Sequence, residues 1–359
     1  MKFINQIEPY LTEHEVAAVS EYLRSGSWLT EYKKTEEFEA NIAEFMGTKY
    51  VVVLTSGTVA LYLALLALDI GAGDSVVVPD YTMIATPNTV RWAGAEVILA
   101  DVERETLCLD LDKIQLRENT KALMYVSING RSGDMARVAE FCRANNLHLI
   151  EDACQAFGSK WDGRKLGTIG EMGIFSFTPH KIITTGQGGA VVTDNLELYE
   201  KIKKLKDFHR TQPGVDIHTG IGYNFKFTDL QSVVGIEQLK IIEHRIERKK
   251  AIYNMYQDGL SGLDFVEFLP ANLDQTVPWC TDLILKDVTQ DDFVTFLKDK
   301  NVGSRRFYPA VHTQEPYAQS QDPFEAAADL APRGVWLPSS IGLVDEDIQY
   351  VIDTIQYFG

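Results

Sequence analysis

The chain has 359 residues, 45% of them hydrophobic, and a formal net charge of −17 at pH 7. This length accommodates a large domain plus a smaller one, and the composition is that of an ordinary globular protein. The charge argues against a general partner among nucleic acids or acidic membranes, but a local pocket of backbone N–H groups and cations can still bind a small anion.

The remaining features of the composition indicate a cytoplasmic protein without a metal site. No apolar run is long enough to span a bilayer, and the N-terminal residues lack the apolar core of a signal peptide. The four cysteines are scattered and form no C-x-x-C pair, which argues against a disulfide framework or a thiolate metal site. We therefore expect reduced thiols and no membrane partner.

Between residues 50 and 195, short β-branched runs alternate with segments of helical period, such as 58–68 and 134–145. The runs are continuously apolar, as strands covered on both faces must be. This alternation predicts an α/β fold with a mostly parallel sheet and helices on both sides. The predicted strands are 50–56, 75–80, 96–102, 122–128, 148–153, 173–178 and 189–194.

One long helix is predicted from about 228 to 258, apolar on one face at first and heavily charged in its middle. Strands, a helix at 289–300 and a closing helix near Asp345 follow it. We interpret this part as a smaller α+β domain. The boundary is placed inside the long helix, giving a large domain at 1–240 and a small C-terminal domain at 241–359.

Ser56, Gly57 and Thr58 stand between a strand and a helix, where small residues let N–H groups and hydroxyls converge on an anion. A purely structural N-cap is the alternative. Asp152 ends another strand, where a carboxylate points into the ligand crevice of an open α/β sheet. It could instead cap the next turn.

Lys181 follows the buried strand 173–178 and precedes a Gly-rich return strand. Burial there lowers the pKa of a lysine and makes it a nucleophile, whereas an ordinary lysine is solvated. The loop 222–229 precedes the long helix. It either ends in a simple Thr or Asp cap, or delivers a polar side chain to a neighbouring site.

These segments contain the motifs SGT, EDA-x-QA-x-G, FSF-x-x-x-K and GYN-x-x-x-TD. With these motifs in this order and spacing, the chain resembles the DegT/DnrJ/EryC1/StrS family of sugar aminotransferases, and the resemblance extends from its first residues to its last helix. The resemblance implies the type I (aspartate aminotransferase) fold and pyridoxal 5'-phosphate as cofactor, which Lys181 carries covalently. It also implies that Asp152 pairs with the pyridine nitrogen, that Gln155 lies near the phenolic oxygen, and that the phosphate is bound by Ser56, Gly57, Thr58 and Ser176.

The same resemblance implies a homodimer with shared active sites, because Asn224 would reach the phosphate of the other subunit's cofactor. Three positions depart from the family pattern. Met83 stands where an aromatic ring usually covers the cofactor, with Tyr81 two residues earlier. Gln187 replaces an acidic residue, and Arg131 lies in an unusual loop as either a substrate cation or a solvated turn residue.

A dehydratase branch of the family replaces the cofactor lysine with histidine, whereas here His180 is only its neighbour. The resemblance therefore implies transamination, with L-glutamate donating to C4 of a nucleotide-linked 4-keto-6-deoxyhexose. The alternatives are a 3-aminotransferase of a keto sugar, a cyclitol aminotransferase, and a non-catalytic cofactor-binding regulator. The segment 305–312 resembles the mouth of the family's active site, and the predicted substrate residues are His180, Arg306, Tyr308 and His312.

Overall fold

The computed structural model describes residues 2–212, 214–318 and 323–358. Its helices are α1 (Glu13–Arg24), α2 (Lys33–Met46), α3 (Gly57–Ala67), α4 (Ala85–Trp92), α5 (Met135–Ala144), α6 (Leu196–Lys206), α7 (Asp229–Lys240), α8 (Ile242–Leu260), α9 (Gln290–Asp299), α10 (Glu325–Leu330) and α11 (Asp345–Gln356). Its strands are β1 (Tyr50–Leu54), β2 (Ser75–Pro79), β3 (Glu96–Ala100), β4 (Thr120–Val126), β5 (His148–Asp152), β6 (Lys160–Trp161), β7 (Arg164–Lys165), β8 (Met172–Ser176), β9 (Gly189–Thr193), β10 (Arg210–Gln212), β11 (Val215–His218), β12 (Val266–Glu267), β13 (Asp282–Leu285), β14 (Arg305–Arg306) and β15 (Gly334–Trp336).

The seven strands predicted between residues 50 and 195 all form, and they build one sheet of order β1-β9-β8-β5-β4-β2-β3. Its pairings are parallel except for those of β9, which runs antiparallel to β1 and β8. Alternation along β1 shows why its run is apolar throughout: Val51 and Val53 enter the core on one face, and Val52 and Leu54 enter the core on the other. The predicted α/β fold with a mostly parallel sheet is thus confirmed.

The predicted long helix is two helices. α7 ends at Lys240 and α8 begins at Ile242, because Ile241 leaves helical geometry with φ −112° and ψ 22°. A continuous helical pattern in the sequence did not reveal this break. Among residues 2–212, 214–318 and 323–358, no helix has the length and apolarity that a membrane crossing needs.

Beyond the break lies the smaller α+β unit, with an antiparallel sheet of order β12-β13-β15-β14. Helices α8, α9 and α11 contribute to its own apolar core. Ile4, from the start of the chain, joins this core and pairs with Val302. We propose Ile241 as the hinge between the two domains at 1–240 and 241–359, with the first residues of the chain docked on the second.

The loop at 129–131 fastens the two sheets to each other. Arg131 forms a bidentate pair with Asp282 of β13, both N–O distances being 2.6 Å, and the two side chains are only 3% and 1% exposed. The Asn129 amide exchanges two hydrogen bonds with the backbone of Cys280, at 2.7 and 2.8 Å. Arg131 is therefore a buried structural cation and neither a substrate cation nor a solvated turn residue.

Gly130 allows this close approach. Its φ is +82°, and a Cβ added there would lie 2.2 Å from the carbonyl oxygen of Val277. Glycine is the residue that adopts this backbone conformation readily and has no side chain to collide with the carbonyl oxygen.

We expect Arg131→Met to destabilise the protein by about 3–5 kcal/mol, because Asp282 would be left buried without its partner. The measurement is the unfolding midpoint in urea. Arg117→Met, which breaks an exposed pair with Glu96, should cost about 1 kcal/mol or less. The double variant Arg131→Met/Asp282→Leu should recover most of the loss. If Arg131→Met and Arg117→Met had the same unfolding midpoint, the pair between Arg131 and Asp282 would contribute no more to stability than an exposed ion pair.

Candidate active site

A cavity of about 220 Å³ lies where β5 and β8 end and α3 begins. Most of the residues predicted for cofactor and substrate line it, although they come from distant parts of the chain. These are Ser56, Gly57, Thr58, Met83, Asp152, Gln155, Ser176, His180, Lys181 and Tyr308. The exceptions are Asn224, Arg306 and His312.

The N-terminus of α3 forms one end of the cavity. Ser56 is the N-cap, and its hydroxyl accepts a hydrogen bond from the Val59 N–H at 3.1 Å, so the capping alternative holds for this side chain. The first N–H groups of a helix have no partner inside it and attract anions. A Cβ on Gly57 would lie 3.0 Å from the Ser176 Cβ, so glycine keeps this end of the cavity open.

Two adjacent acidic residues at the end of β5 have different environments. Glu151 accepts hydrogen bonds from the N–H groups of Gly167, Ile169 and Gly170, at 2.7, 2.6 and 2.6 Å. It organises that loop, and burial raises its pKa. Asp152 lines the cavity, since successive strand residues point to opposite faces.

Asp152 is 5% exposed and is held on both carboxylate oxygens. The Thr86 hydroxyl donates to Oδ2 at 2.8 Å, and the Cys154 N–H donates to Oδ1 at 3.2 Å. These two hydrogen bonds fix the orientation of the carboxylate. Asp152 thus makes the turn contact considered as an alternative and still presents a fixed carboxylate to the cavity.

Lys181 belongs to the connection between β8 and β9. Burial lowers its pKa, while the neighbouring Cys154 and Asp152 act in the opposite direction. Its Nζ lies 4.4 Å from the ring centroid of Trp279. A partly desolvated amine of this kind is suited to nucleophilic attack and proton transfer.

His180, the neighbour of Lys181, also faces the cavity. Burial and the adjacent Lys181 cation lower its pKa to about 4, so its imidazole is neutral at physiological pH. Its carbonyl oxygen accepts a hydrogen bond from the indole N–H of Trp279 at 2.7 Å.

Met83, which is 44% exposed, lines the cavity, whereas Tyr81 is fully buried in the core between the domains. Tyr81 packs against Phe307 and Tyr308, with centroid distances of 5.6 and 6.3 Å. The structure thus leaves Met83 as the side chain of this loop that can cover a flat ligand.

Gln155 also lines the cavity, and its Oε1 accepts a hydrogen bond from the Asn129 N–H at 2.8 Å. This contact ties the orientation of the Gln155 amide to the loop that joins the two domains. Gln187 lines the cavity as well and is exposed to solvent.

The arginine of the second domain that reaches the cavity is Arg305, not Arg306. Residues 305 and 306 form β14, so their side chains point to opposite sides. Arg306 pairs with Asp291 of α9, with an N–O distance of 2.5 Å. Arg305 packs over the rings of Tyr308 and Trp336, at 5.4 and 5.6 Å. The prediction of Arg306 is therefore corrected to Arg305.

His312 lies outside the cavity lining. Its Nδ1 is 2.6 Å from Oδ2 of the fully buried Asp80, and its ring stacks on Phe324 with 4.9 Å between centroids. Burial raises the pKa of Asp80 to about 6, although the hydrogen bonds from His312 lower it. His312 is thus held by a buried carboxylate and does not line the cavity as the predicted substrate contact would.

Asn224 is exposed, and its backbone forms an isolated bridge with Asp207. It does not line the cavity of its own chain. The cavity also contains Thr86, which holds Asp152 and which no motif indicated, and Arg305, which lies in the indicated segment 305–312 but was not among the predicted substrate residues. A strand of two residues is too short for its sequence to show which side chain faces the cavity. A hydrogen bond between distant parts of the fold, such as that of Thr86 with Asp152, leaves no pattern in the sequence either.

The described residues include no group of three or more His, Cys, Asp or Glu side chains that could hold a metal ion. Among the described residues, the cavity lining includes a helix N-terminus, the carboxylate of Asp152, the amine of Lys181 and the guanidinium of Arg305, together with several neutral hydroxyl and amide groups. This set favours an anionic organic ligand.

Comparisons with known proteins agree with this geometry. The model of the DegT/DnrJ/EryC1/StrS aminotransferase family matches residues 9–356. The GDP-perosamine synthase of Escherichia coli O157:H7 is 34% identical, over 100% of this chain and 99% of that protein. The enzyme of the same name from Vibrio cholerae is 32% identical, over 98% of both.

Among solved structures, the aminotransferase TlmJ from Streptoalloteichus hindustanus superimposes with a TM-score of 0.94 at 30% identity, covering 99% of this chain and 98% of that one. The Helicobacter pylori aminotransferase PseC, involved in the biosynthesis of pseudoaminic acid, gives 0.92 at 26% identity and covers 99% of each chain. The chain therefore belongs to the DegT/DnrJ/EryC1/StrS aminotransferase family and is a pyridoxal-phosphate-dependent sugar aminotransferase.

Proposed function

We propose that this enzyme transfers the amino group of L-glutamate to C4 of a nucleotide-linked 4-keto-6-deoxyhexose, as a GDP-perosamine synthase-like 4-aminotransferase. The observation that carries the proposal is the shared cavity of Lys181 and Asp152, which the N-terminus of α3 closes at one end. The similarity to two proteins named GDP-perosamine synthase supports the choice of substrate class.

The cavity has the features that pyridoxal phosphate needs. Its phosphate would bind Ser56, Gly57, Thr58 and Ser176, where the absent side chain of Gly57 leaves the space. Its ring would lie under Met83, whose thioether can pack on a π face. Asp152 would pair with the pyridine nitrogen, and Gln155 would meet the phenolic oxygen. When bound, the protonated ring withdraws electrons from the carbon that carries the amino group.

The protein's own groups would supply positioning and proton transfer. Lys181 would bind the cofactor covalently through Nζ, and the same atom would then hold and deliver the proton exchanged with the substrate carbon. Its lowered pKa keeps a larger fraction of the amine unprotonated than in an ordinary lysine. Asp152, fixed by Thr86 and Cys154, would hold the proton on the pyridine nitrogen.

The neighbour His180 does not replace the lysine. Its backbone carbonyl is fixed by Trp279, and its neutral ring lines the cavity beside Lys181. Transamination thus fits better than the elimination that a histidine in the lysine position would indicate. We assign His180 and Tyr308 to contacts with the sugar, and Arg305 to the diphosphate.

We also propose a homodimer in which Asn224 completes the partner's site. Asn224 is exposed next to Tyr223, whose hydroxyl lies 2.8 Å from that of Tyr62. Trp92, 58% exposed, packs on Tyr62 with 6.2 Å between centroids. Such an aromatic surface beside a polar residue is suited to burial against a second copy. A cytoplasmic location stays a prediction from the scattered cysteines.

The direct test is to incubate the purified protein and its cofactor with L-glutamate and GDP-, dTDP- or UDP-linked 4-keto-6-deoxyhexoses. The aminated carbon is then mapped by NMR. We expect amination at C4, a bond between cofactor and Lys181 that reduction with borohydride makes permanent, and a loss of at least about 10³-fold in kcat for Lys181→Ala. Lys250→Ala is the control, since Lys250 lies on α8 outside the cavity.

Other outcomes would distinguish the alternatives. Amination at C3, or amination of a cyclitol, would show that the proposed reaction is wrong and that the corresponding alternative is right. Cofactor binding without amino transfer from glutamate to any keto sugar would indicate a regulator. A protein in which borohydride reduction leaves no cofactor attached to Lys181 would contradict the assignment of the lysine itself.

Arg305 and Arg306 offer a matched pair for the substrate site. Arg305→Gln should raise KM for the nucleotide sugar about tenfold or more, because a charge-assisted hydrogen bond to the diphosphate is lost. Arg306→Gln should leave KM near the wild-type value, since its partner is Asp291 on the other side of β14. Steady-state kinetics with varied nucleotide sugar measures both. Equal effects of the two variants, or an effect on KM for glutamate alone, would rule out the diphosphate contact.

Shared sites can be tested by subunit complementation. Lys181→Ala and Asn224→Ala homodimers should both be impaired, whereas a purified heterodimer of one subunit of each should recover about half of the wild-type activity. One of its two sites then receives intact Lys181 from one chain and intact Asn224 from the other. A heterodimer no more active than the Asn224→Ala homodimer would show that Asn224 serves its own chain.

A further inference from the structure

The amine of Lys181 lies over Trp279, a residue that none of the sequence motifs marks. The distance of 4.4 Å from Nζ to the ring centroid is within the range of about 6 Å for a cation–π contact. Within the described part of the chain, this amine has neither a hydrogen-bond acceptor nor an ion-pair partner, and Asp152 acts on it only at longer range. The indole face is therefore the specific contact that the charged form of Lys181 makes.

Trp279 is held on several sides. Its indole N–H donates to the carbonyl oxygen of His180 at 2.7 Å, which joins the ring to the backbone directly before Lys181. Its own carbonyl oxygen accepts from Nζ of Lys249 at 2.6 Å. The ring packs against Trp336, with 5.5 Å between centroids, and only 5% of the residue is exposed. The ring and the lysine backbone consequently keep a fixed relation.

Lys249 itself is a buried amine, 3% exposed, that bridges two backbone carbonyls. Nζ donates to Trp279 and to Ser339, both at 2.6 Å. Burial lowers its pKa to about 8. Because a buried amine is costly unless its hydrogen bonds are made, this side chain acts here as a fastener between the Trp279 loop and the segment at Ser339.

We propose that Trp279 is a positioning residue for Lys181: its ring face receives the lysine amine as an ammonium, its indole N–H fixes the adjacent backbone, and Lys249 holds the ring in place. The proposal rests on the proposed role of Lys181 and concerns the state in which its amine is free. A lysine that moves a proton must carry that proton between steps. An aromatic face stabilises the ammonium and, unlike a carboxylate, cannot take the proton away.

The first test uses the cofactor-free protein. The rate at which it forms a covalent bond with added pyridoxal phosphate is measured against pH, since the neutral amine is the reacting form. Trp279→Leu removes the ring face, so the midpoint should move to lower pH, and at pH below the midpoint the reaction should be roughly tenfold faster. Trp279→Phe retains a ring face and should stay close to wild type.

Trp28→Leu is the control, because that ring is 65% exposed and lies between α1 and α2, outside the cavity lining. It should reproduce the wild-type profile. A Trp279→Leu protein whose midpoint equals that of the wild type would overturn the proposal.

The second test leaves Trp279 intact and needs no cofactor. Ionisation of Lys181 should change the fluorescence of the ring it touches, giving a step in tryptophan emission against pH that is lost in Lys181→Met and kept in Trp28→Phe. The proposal fails if no Lys181-dependent step exists. A protein that shows this step but forms no bond with pyridoxal phosphate at any pH would contradict the proposed function and leave the contact of Trp279 with Lys181 standing.

Discussion

The buried ion pair between Arg131 and Asp282 is the interaction on which the rest of the site depends. Asp152 ends a strand of the large sheet and Lys181 lies in the connection between two of its strands. Trp279, Arg305 and Tyr308 come from the part of the chain after Ile241. The cavity exists only while these groups face each other. Two hydrogen bonds between charged groups, with both side chains almost completely buried, set that relation with little freedom. Gly130 brings the backbones close enough for the pair to form.

The charges inside the cavity differ from those of the whole chain. The net charge is −17, yet among the residues that the structure describes Asp152 is the one carboxylate that lines the cavity. Lys181 and Arg305 supply cations there, and α3 supplies the positive end of its dipole. His180 adds no charge, because its pKa is lowered to about 4. An anionic ligand is thus attracted locally although the protein as a whole repels it. Net charge predicted the absence of large anionic partners and said nothing about the site.

The sequence predicted the sheet for physical reasons, and most of the candidate site residues that it indicated line one cavity of the structure. Strands buried on both faces must be continuously apolar, and polar residues at their carboxyl ends then meet at one edge. Lys181, Asp152 and the 56–58 turn follow from this rule. What depends on contacts across the fold was not predictable: the break at Ile241, the phase that turns Arg305 rather than Arg306 to the cavity, and the capture of His312 by Asp80. The position of His312, for example, depends on Asp80, a partner that lies 232 residues away in sequence.

The reversal of β9 explains why Lys181 can meet the other groups. A parallel continuation after β8 would need a long crossover to the opposite edge of the sheet. Because β9 returns antiparallel, the connection stays at the end of the sheet where β8 finishes. Gly189 therefore pairs with both Ser176 and Leu54. A Cβ on Gly189 would lie 2.4 Å from the Gly57 N, hence the start of β9 must be glycine for the helix N-terminus to approach. The Gly-rich segment after Lys181 therefore places the amine and the anion-binding helix at the same edge of the sheet.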